Sequence, residues 1–450
     1  MDRNDMDRRA YRHKRRIRNQ IGCWLILVAA IAVLGFGAYF ATDALGKKLS
    51  KDPAPAQETA VSDNTVSEDN ASGEEGGVIY TPEPMEEIED AVAEDEEPEE
   101  PEEDPAVMAL LNGMSIEQKV DGLFLVSPEA ITGVATATMA GDGTREAITR
   151  YAIAGMVYSS KNVVSGDQFM ELVATTKDMY HETYNRDMLA MLDEESGYGA
   201  LAGKTEDAET QPSAKELAET GNRDNVTESY KTIASYLKTY GIDADLAPQA
   251  AVLTADNSYL GNRIFSDDAD IAASMTAAAV EGLNDGGVLC CLAAFPGEGG
   301  AATDPDNGAI KTEKSSEELS ECEYKPFISG IEAGADMIMI SNIVAPNAGS
   351  DEDSCTLSEE VVTNILRNEL GFEGVIVSAP LDQAACTSSA TPGAAALKAF
   401  IAGADLLYVR NSVAFNEARD AILGAVNDGT ISEELIDTAL KRIYTMEINR

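Results

Sequence analysis

Histidine is almost absent: His13 and His181 are the only two in 450 residues. His13 lies in a basic N-terminal stretch, so His181 is the single imidazole available to the rest of the chain. It falls in a helix-like stretch and is not expected to be catalytic. Cations are also scarce, with 33 Lys and Arg against 79 Asp and Glu, a formal net charge of −46. That balance excludes nucleic acid as a partner, because phosphate would be repelled instead of neutralised. None of the six cysteines, Cys23, Cys290, Cys291, Cys322, Cys355 and Cys386, forms a Cys-x-x-Cys pair. Cys23 lies in an apolar run, and the remaining five cannot all pair with one another. Adjacent Cys290 and Cys291 read as inert core thiols, not as a disulfide or a metal site. Neither a metal ion nor a cofactor is expected.

Four regions follow one another. Residues 1–20 form a basic tail that includes Arg8, Arg9, Arg15 and Arg16. Residues 21–41 run apolar without a charge, about 30 Å as a helix and enough to cross a bilayer. The basic flank keeps the tail cytoplasmic and sends the C-terminal bulk outward, which predicts a single-pass protein of the cell membrane with an extracellular domain. A cleaved signal peptide is the alternative, although the run is long for one. Residues 42–106 form an acidic linker, and between Ser50 and Asp104 the only base is Lys51. Such a segment buries too little apolar surface to fold, and its like charges extend it. At ~3.1 Å per residue it reaches up to ~170 Å.

From residue 107 to 450 short apolar, β-rich runs recur: 122–126, 154–158, 188–192, 244–247, 288–295, 335–340, 374–377 and 404–409. Helix-like segments such as 213–240, 268–284 and 358–370 lie between them. Eight strands alternating with helices over about 340 residues predict an α/β fold of the (β/α)8 TIM-barrel type. A doubly wound open sheet is the alternative. Each run ends in a short polar or Gly/Pro stretch, where a barrel places its chemistry. The most pronounced follows Phe295, as Pro296-Gly-Glu-Gly-Gly300 and then Thr303-Asp-Pro-Asp306. Carboxylates and amides around one mouth suit a polyhydroxylated ligand.

Five stretches, in order, carry a resemblance. They are Leu111-Asn-Gly-Met-Ser-Ile-Glu-Gln-Lys-Val120, Asp193-Glu-Glu-Ser-Gly197, Gly241-Ile-Asp-Ala-Asp-Leu-Ala-Pro248 with Gly261-Asn-Arg-Ile-Phe265, Phe295-Pro-Gly-Glu-Gly299, and Leu370 to Ser378. Together they resemble glycoside hydrolase family 3, in its bacterial β-N-acetylhexosaminidase branch. The resemblance implies retaining hydrolysis, with a carboxylate nucleophile and a proton donor. At the position it implies for the nucleophile stands Ala379, and at the position of the His acid/base stands Asp306. Asp304 keeps the Asp of that loop. The Lys-His pair before Phe-Pro-Gly is Ala293-Ala294, the next His is Glu298, and an expected Arg is Leu201. Asp193, Glu195, Arg263 and Glu298 are the substrate-binding candidates, with Asp304 and Asp306 the candidates for any remaining catalysis.

Three readings follow. The leading one is a membrane-anchored domain that has lost efficient hydrolysis and binds GlcNAc-containing cell-wall glycan or a protein partner. The second is an active β-N-acetylhexosaminidase with relocated carboxylates, drawing on Glu195, Glu298, Asp304, Asp306 or Asp382. The third is an interaction module whose mouth plays no part.

Overall fold

Asp104 opens the first helix, Pro105–Asn112, by accepting the Ala106 amide at 2.7 Å, and Pro105 occupies a first-turn position that needs no N–H donor. This cap brings Asp104 and Pro105 into the folded part and moves its start ahead of the expected boundary at 107. The computed structural model describes residues 104–449. The basic tail, the expected anchor at 21–41 and the linker up to residue 103 lie outside the described residues. Among the described residues no helix is long and apolar enough to cross a membrane.

Eight strands alternate with helices. They are β1 Phe124–Val126, β2 Gly155–Val157, β3 Leu189–Leu192, β4 Ala244–Asp245, β5 Leu289–Phe295, β6 Met337–Ile340, β7 Val375–Val377 and β8 Leu407–Val409. Every residue in them is buried. This explains why the apolar runs do not alternate with polar residues: both faces are covered, the inner one by the barrel core and the outer one by helices. The sheet runs β8-β1-β2-β3-β4-β5-β6-β7, and every pair is parallel. Successive parallel strands need a crossover, and the intervening helices provide it. A single bridge, Val377 to Leu406, joins β7 to β8 and nearly closes the ring.

That thin seam is reinforced by a side chain. Asp405 Oδ2 accepts the Ile376 amide at 2.9 Å and Arg367 Nη2 at 2.8 Å, while its Oδ1 accepts Arg442 Nη1 at 2.9 Å. A short hairpin, Glu194–Glu195 with Tyr198–Gly199, follows β3 directly.

The expected helices appear with adjustments. The segment 213–240 divides into Ala214–Glu219 and Arg223–Thr239, because Gly221 takes a left-handed turn and Asn222 caps the second piece. Segment 268–284 is the helix Ala269–Gly286, which Asp268 caps. Segment 358–370 is wound as a wider π-helix over Glu360–Glu369, with the Leu370 amide reaching back to the Ile365 carbonyl. Cys290 and Cys291 are free and buried in β5, where burial pushes their thiols up.

Candidate functional site

The C-terminal ends of the strands surround a pocket of about 560 Å³. Its lining includes Asp193 after β3, Gln249 after β4, Glu298, Asp304 and Asp306 after β5, Ala379 and Pro380 after β7, and Arg410 after β8. Sequence neighbours of these residues point inward or outward according to the local turn, and the hairpin after β3 shows how.

In that hairpin the two glutamates turn to different work. Glu194 is buried and accepts the amides of Ala200, Leu201 and Ala202 at 2.7, 2.8 and 2.9 Å, together with the Tyr236 hydroxyl at 3.1 Å. Burial pushes its carboxyl up despite these bonds. Its task is to fold the following turn. Glu195, also buried, faces Arg263: Nε donates to Oε2 at 2.8 Å and Nη2 to Oε1 at 2.5 Å. Gln249 Nε2 adds a third donor at 2.9 Å. The guanidinium also lies 3.9 Å from the centre of the Tyr198 ring. The planar fork of Arg matches a carboxylate on two atoms, which Lys could not do.

Asp193 receives much less. Its Oδ2 is 3.7 Å from Arg263 Nη2. Its Oδ1 is shut off from solvent and meets no donor, although the side chain as a whole is 41% exposed. Burial and then the Glu195 charge push its carboxyl up to about 7, with Arg263 pulling the other way. Behind it, buried Asp245 accepts the Glu194 amide at 2.9 Å through Oδ1 and leaves Oδ2 without a partner. Burial holds that carboxyl well above the usual range.

On the β5 side, Glu298 is buried between the hydroxyls of Tyr259 and Ser341, both of which donate to it. Burial outweighs these bonds and raises its carboxyl. Asp304 Oδ1 accepts the Asp306 amide at 2.9 Å. Asp306 points to the rim, where its two oxygens lie 2.7 and 3.0 Å from Arg410 Nη1. Arg410 also reaches Asp382 Oδ1 at 3.3 Å through Nε. Asp382 in turn accepts Asn411 Nδ2 at 2.6 Å, and it is absent from the pocket lining. Ala379, 3% exposed, presents a methyl group at the end of β7.

The pocket therefore brings together Asp193, Arg263, Glu298, Asp304, Asp306 and Ala379. Glu195 stands behind its wall as the partner of Arg263. Ala293 and Ala294 also line it, whereas Leu201 is buried in the core. His181 sits on the helix Gly166–Tyr184, exposed and paired with Asp187 at 2.9 Å, and has no place in the pocket. Sequence reasoning missed Tyr198, Tyr259 and Gln249. Tyr198 directly follows the Asp193–Gly197 turn, Tyr259 shortly precedes Arg263, and Gln249 follows Pro248, so proximity to the motifs was the available signal.

With this geometry in view, the comparisons decide the family. The family model described as the glycosyl hydrolase family 3 N terminal domain matches residues 115–446. The chain belongs to glycosyl hydrolase family 3. A beta-hexosaminidase of Xanthomonas oryzae pv. oryzae is 29% identical over 288 residues, which is 62% of this chain and 83% of that protein. A beta-hexosaminidase of Xylella fastidiosa is 30% identical over 291 residues, 61% of this chain and 81% of that protein. Among solved structures, a family 3 beta-N-acetylglucosaminidase from Paenibacillus superposes with a TM-score of 0.70 at 28% identity, over 74% of this chain and 62% of that one. The beta-N-acetylhexosaminidase from Beutenbergia cavernae, at 23% identity and a TM-score of 0.66, shares the fold over 74% of this chain and 98% of its own. The family 3 domain is thus a beta-hexosaminidase-like barrel, and the alternative of an open doubly wound sheet falls away.

Proposed function

We propose that this family 3 barrel binds GlcNAc-containing cell-wall glycan, or a protein partner, at its mouth and has lost efficient hydrolysis. We further propose that residues 21–41 anchor it in the cell membrane with the domain outside. The observation that carries the catalytic part is Ala379 at the end of β7, lining the pocket where the family resemblance puts a carboxylate nucleophile. A methyl group cannot attack an anomeric carbon, and retaining hydrolysis through a covalent glycosyl-enzyme requires that attack. Asp306 adds support, because both of its oxygens are engaged by Arg410. A proton donor there would have to leave that pair. The surviving polar set of Asp193, Arg263, Glu298 and Asp304 is suited to holding hydroxyl groups.

The test is turnover of 4-methylumbelliferyl β-N-acetylglucosaminide by the full-length chain between about pH 4 and pH 8, the range in which carboxylate acid–base pairs work. A rate indistinguishable from buffer is expected. Turnover that disappears in Asp304→Asn would refute the reading and show that the chemistry had moved to other carboxylates.

A further inference from the structure

Charges around the pocket pair unevenly. The arginines in its lining are already paired with acids: Arg263 forks onto Glu195, and Arg410 bridges Asp306 and Asp382. Lys161 lies 3.3 Å from Glu129, and Lys204 donates to the Ser160 carbonyl at 3.2 Å. The acids fare differently. Glu298 is met only by two hydroxyls, and Asp304 by one backbone amide. Asp193 keeps one oxygen closed to solvent and without a donor, with its other oxygen 3.7 Å from a guanidinium committed elsewhere. All three line the same cavity, and so do the rings of Tyr198, Tyr259 and Tyr408.

A neutral sugar would satisfy the hydrogen-bonding atoms and leave the charge uncompensated in a partly desolvated space. An ammonium supplies three donors and a positive charge together, and aromatic faces attract it. Hydroxyl groups around it would use the remaining polar lining.

We propose that the pocket takes a hexosamine whose nitrogen is a free ammonium, as in a glycan whose amino sugars carry no acetyl group. The proposal rests on the glycan-binding reading above and names the ligand class of that same mouth. Asp304 and Glu298 supply the negative charge, and the unpartnered oxygen of Asp193 supplies the open acceptor.

The test is titration calorimetry on the full-length chain in detergent micelles near neutral pH. A β-1,4-linked glucosamine disaccharide is compared with its N,N′-diacetyl counterpart. The free-amine sugar is expected to bind about tenfold more tightly or better, the scale of one charge-assisted contact. Asp304→Asn and Glu298→Gln are each expected to remove most of that preference, weakening the free-amine sugar by a larger factor than the diacetyl sugar. Asp304 sits on a half-exposed loop, so its variant tests the charge even if Glu298→Gln fails to fold. Equal or tighter binding of the diacetyl sugar would overturn this proposal alone. Binding of neither sugar would overturn the glycan-binding reading with it. A preference that survives in Asp304→Asn would put the ammonium on acidic chain outside the pocket, and would also overturn the proposal.

Discussion

Asp193 links the site to the stability of the fold. Its carboxyl rises from 3.8 to about 7 because one of its oxygens is closed to solvent beside Glu195, with incomplete compensation from Arg263. Between those two values the folded protein holds a proton that the unfolded chain has released. Stability from this group is therefore full below pH 3.8, falls as pH rises, and levels off above about 7. Asp193→Asn removes the ionisation. The thermal midpoint of the variant minus that of wild type is expected to grow between about pH 4 and pH 7 and then stay constant. The side chain is 41% exposed, which moderates the size of the effect without changing its sign. A difference that stays flat across the range would show that Asp193 titrates as an ordinary surface acid.

The same scale shows where sequence reading stops. Asp193, Arg263, Glu298, Asp304 and Ala379 could be placed because each closely follows an apolar run or lies within a recognisable motif. Their partners could not. Arg410 and Asp306 are 104 positions apart, and Arg263 and Glu195 are 68 apart. No local pattern records which distant turn a long side chain will meet. Counting acids and bases gave the charge of the chain, but the site depends on which charges remain uncompensated after pairing.

At the scale of elements, the eight strands were legible because burial on both faces leaves a plain apolar signature. The helices were legible in position and less so in form. A Gly-Asn step divided one of them, and nothing in the local sequence marks the π-winding of 360–369. The loop after β5 is held by a close approach: a Cβ on Gly299 would stand 1.8 Å from the Val252 carbonyl oxygen. Gly299→Ala must therefore push the β4 and β5 loops apart. A loss of about 1–3 kcal/mol in urea unfolding is expected, as for other overpacked sites. Because Glu298 is the adjacent residue, displaced loops would also disturb its contacts with Tyr259 and Ser341. Unchanged stability in this variant would mean that the two loops separate freely.

For the molecule as a whole, the order of the strands has a consequence for its manufacture. β8 is the last strand along the described chain, yet it lies against β1, the first, through the pairs Phe124 to Leu407, Leu125 to Tyr408 and Val126 to Val409. Its other neighbour, β7, meets it through one bridge. Until residues 406–409 are in place, both β1 and β7 present a bare edge, and a bare parallel edge is a template for another chain. Nearly the whole barrel must therefore be synthesised before either edge is covered. With residues 104–450 expressed without the stretch that precedes them, ending the chain after Gly403 is expected to drive the fragment into the insoluble fraction of the lysate. A soluble, monomeric fragment would mean that the helices shield the edges by themselves. The strand that completes the mouth, with Arg410 just past its end, is also the one that covers both edges.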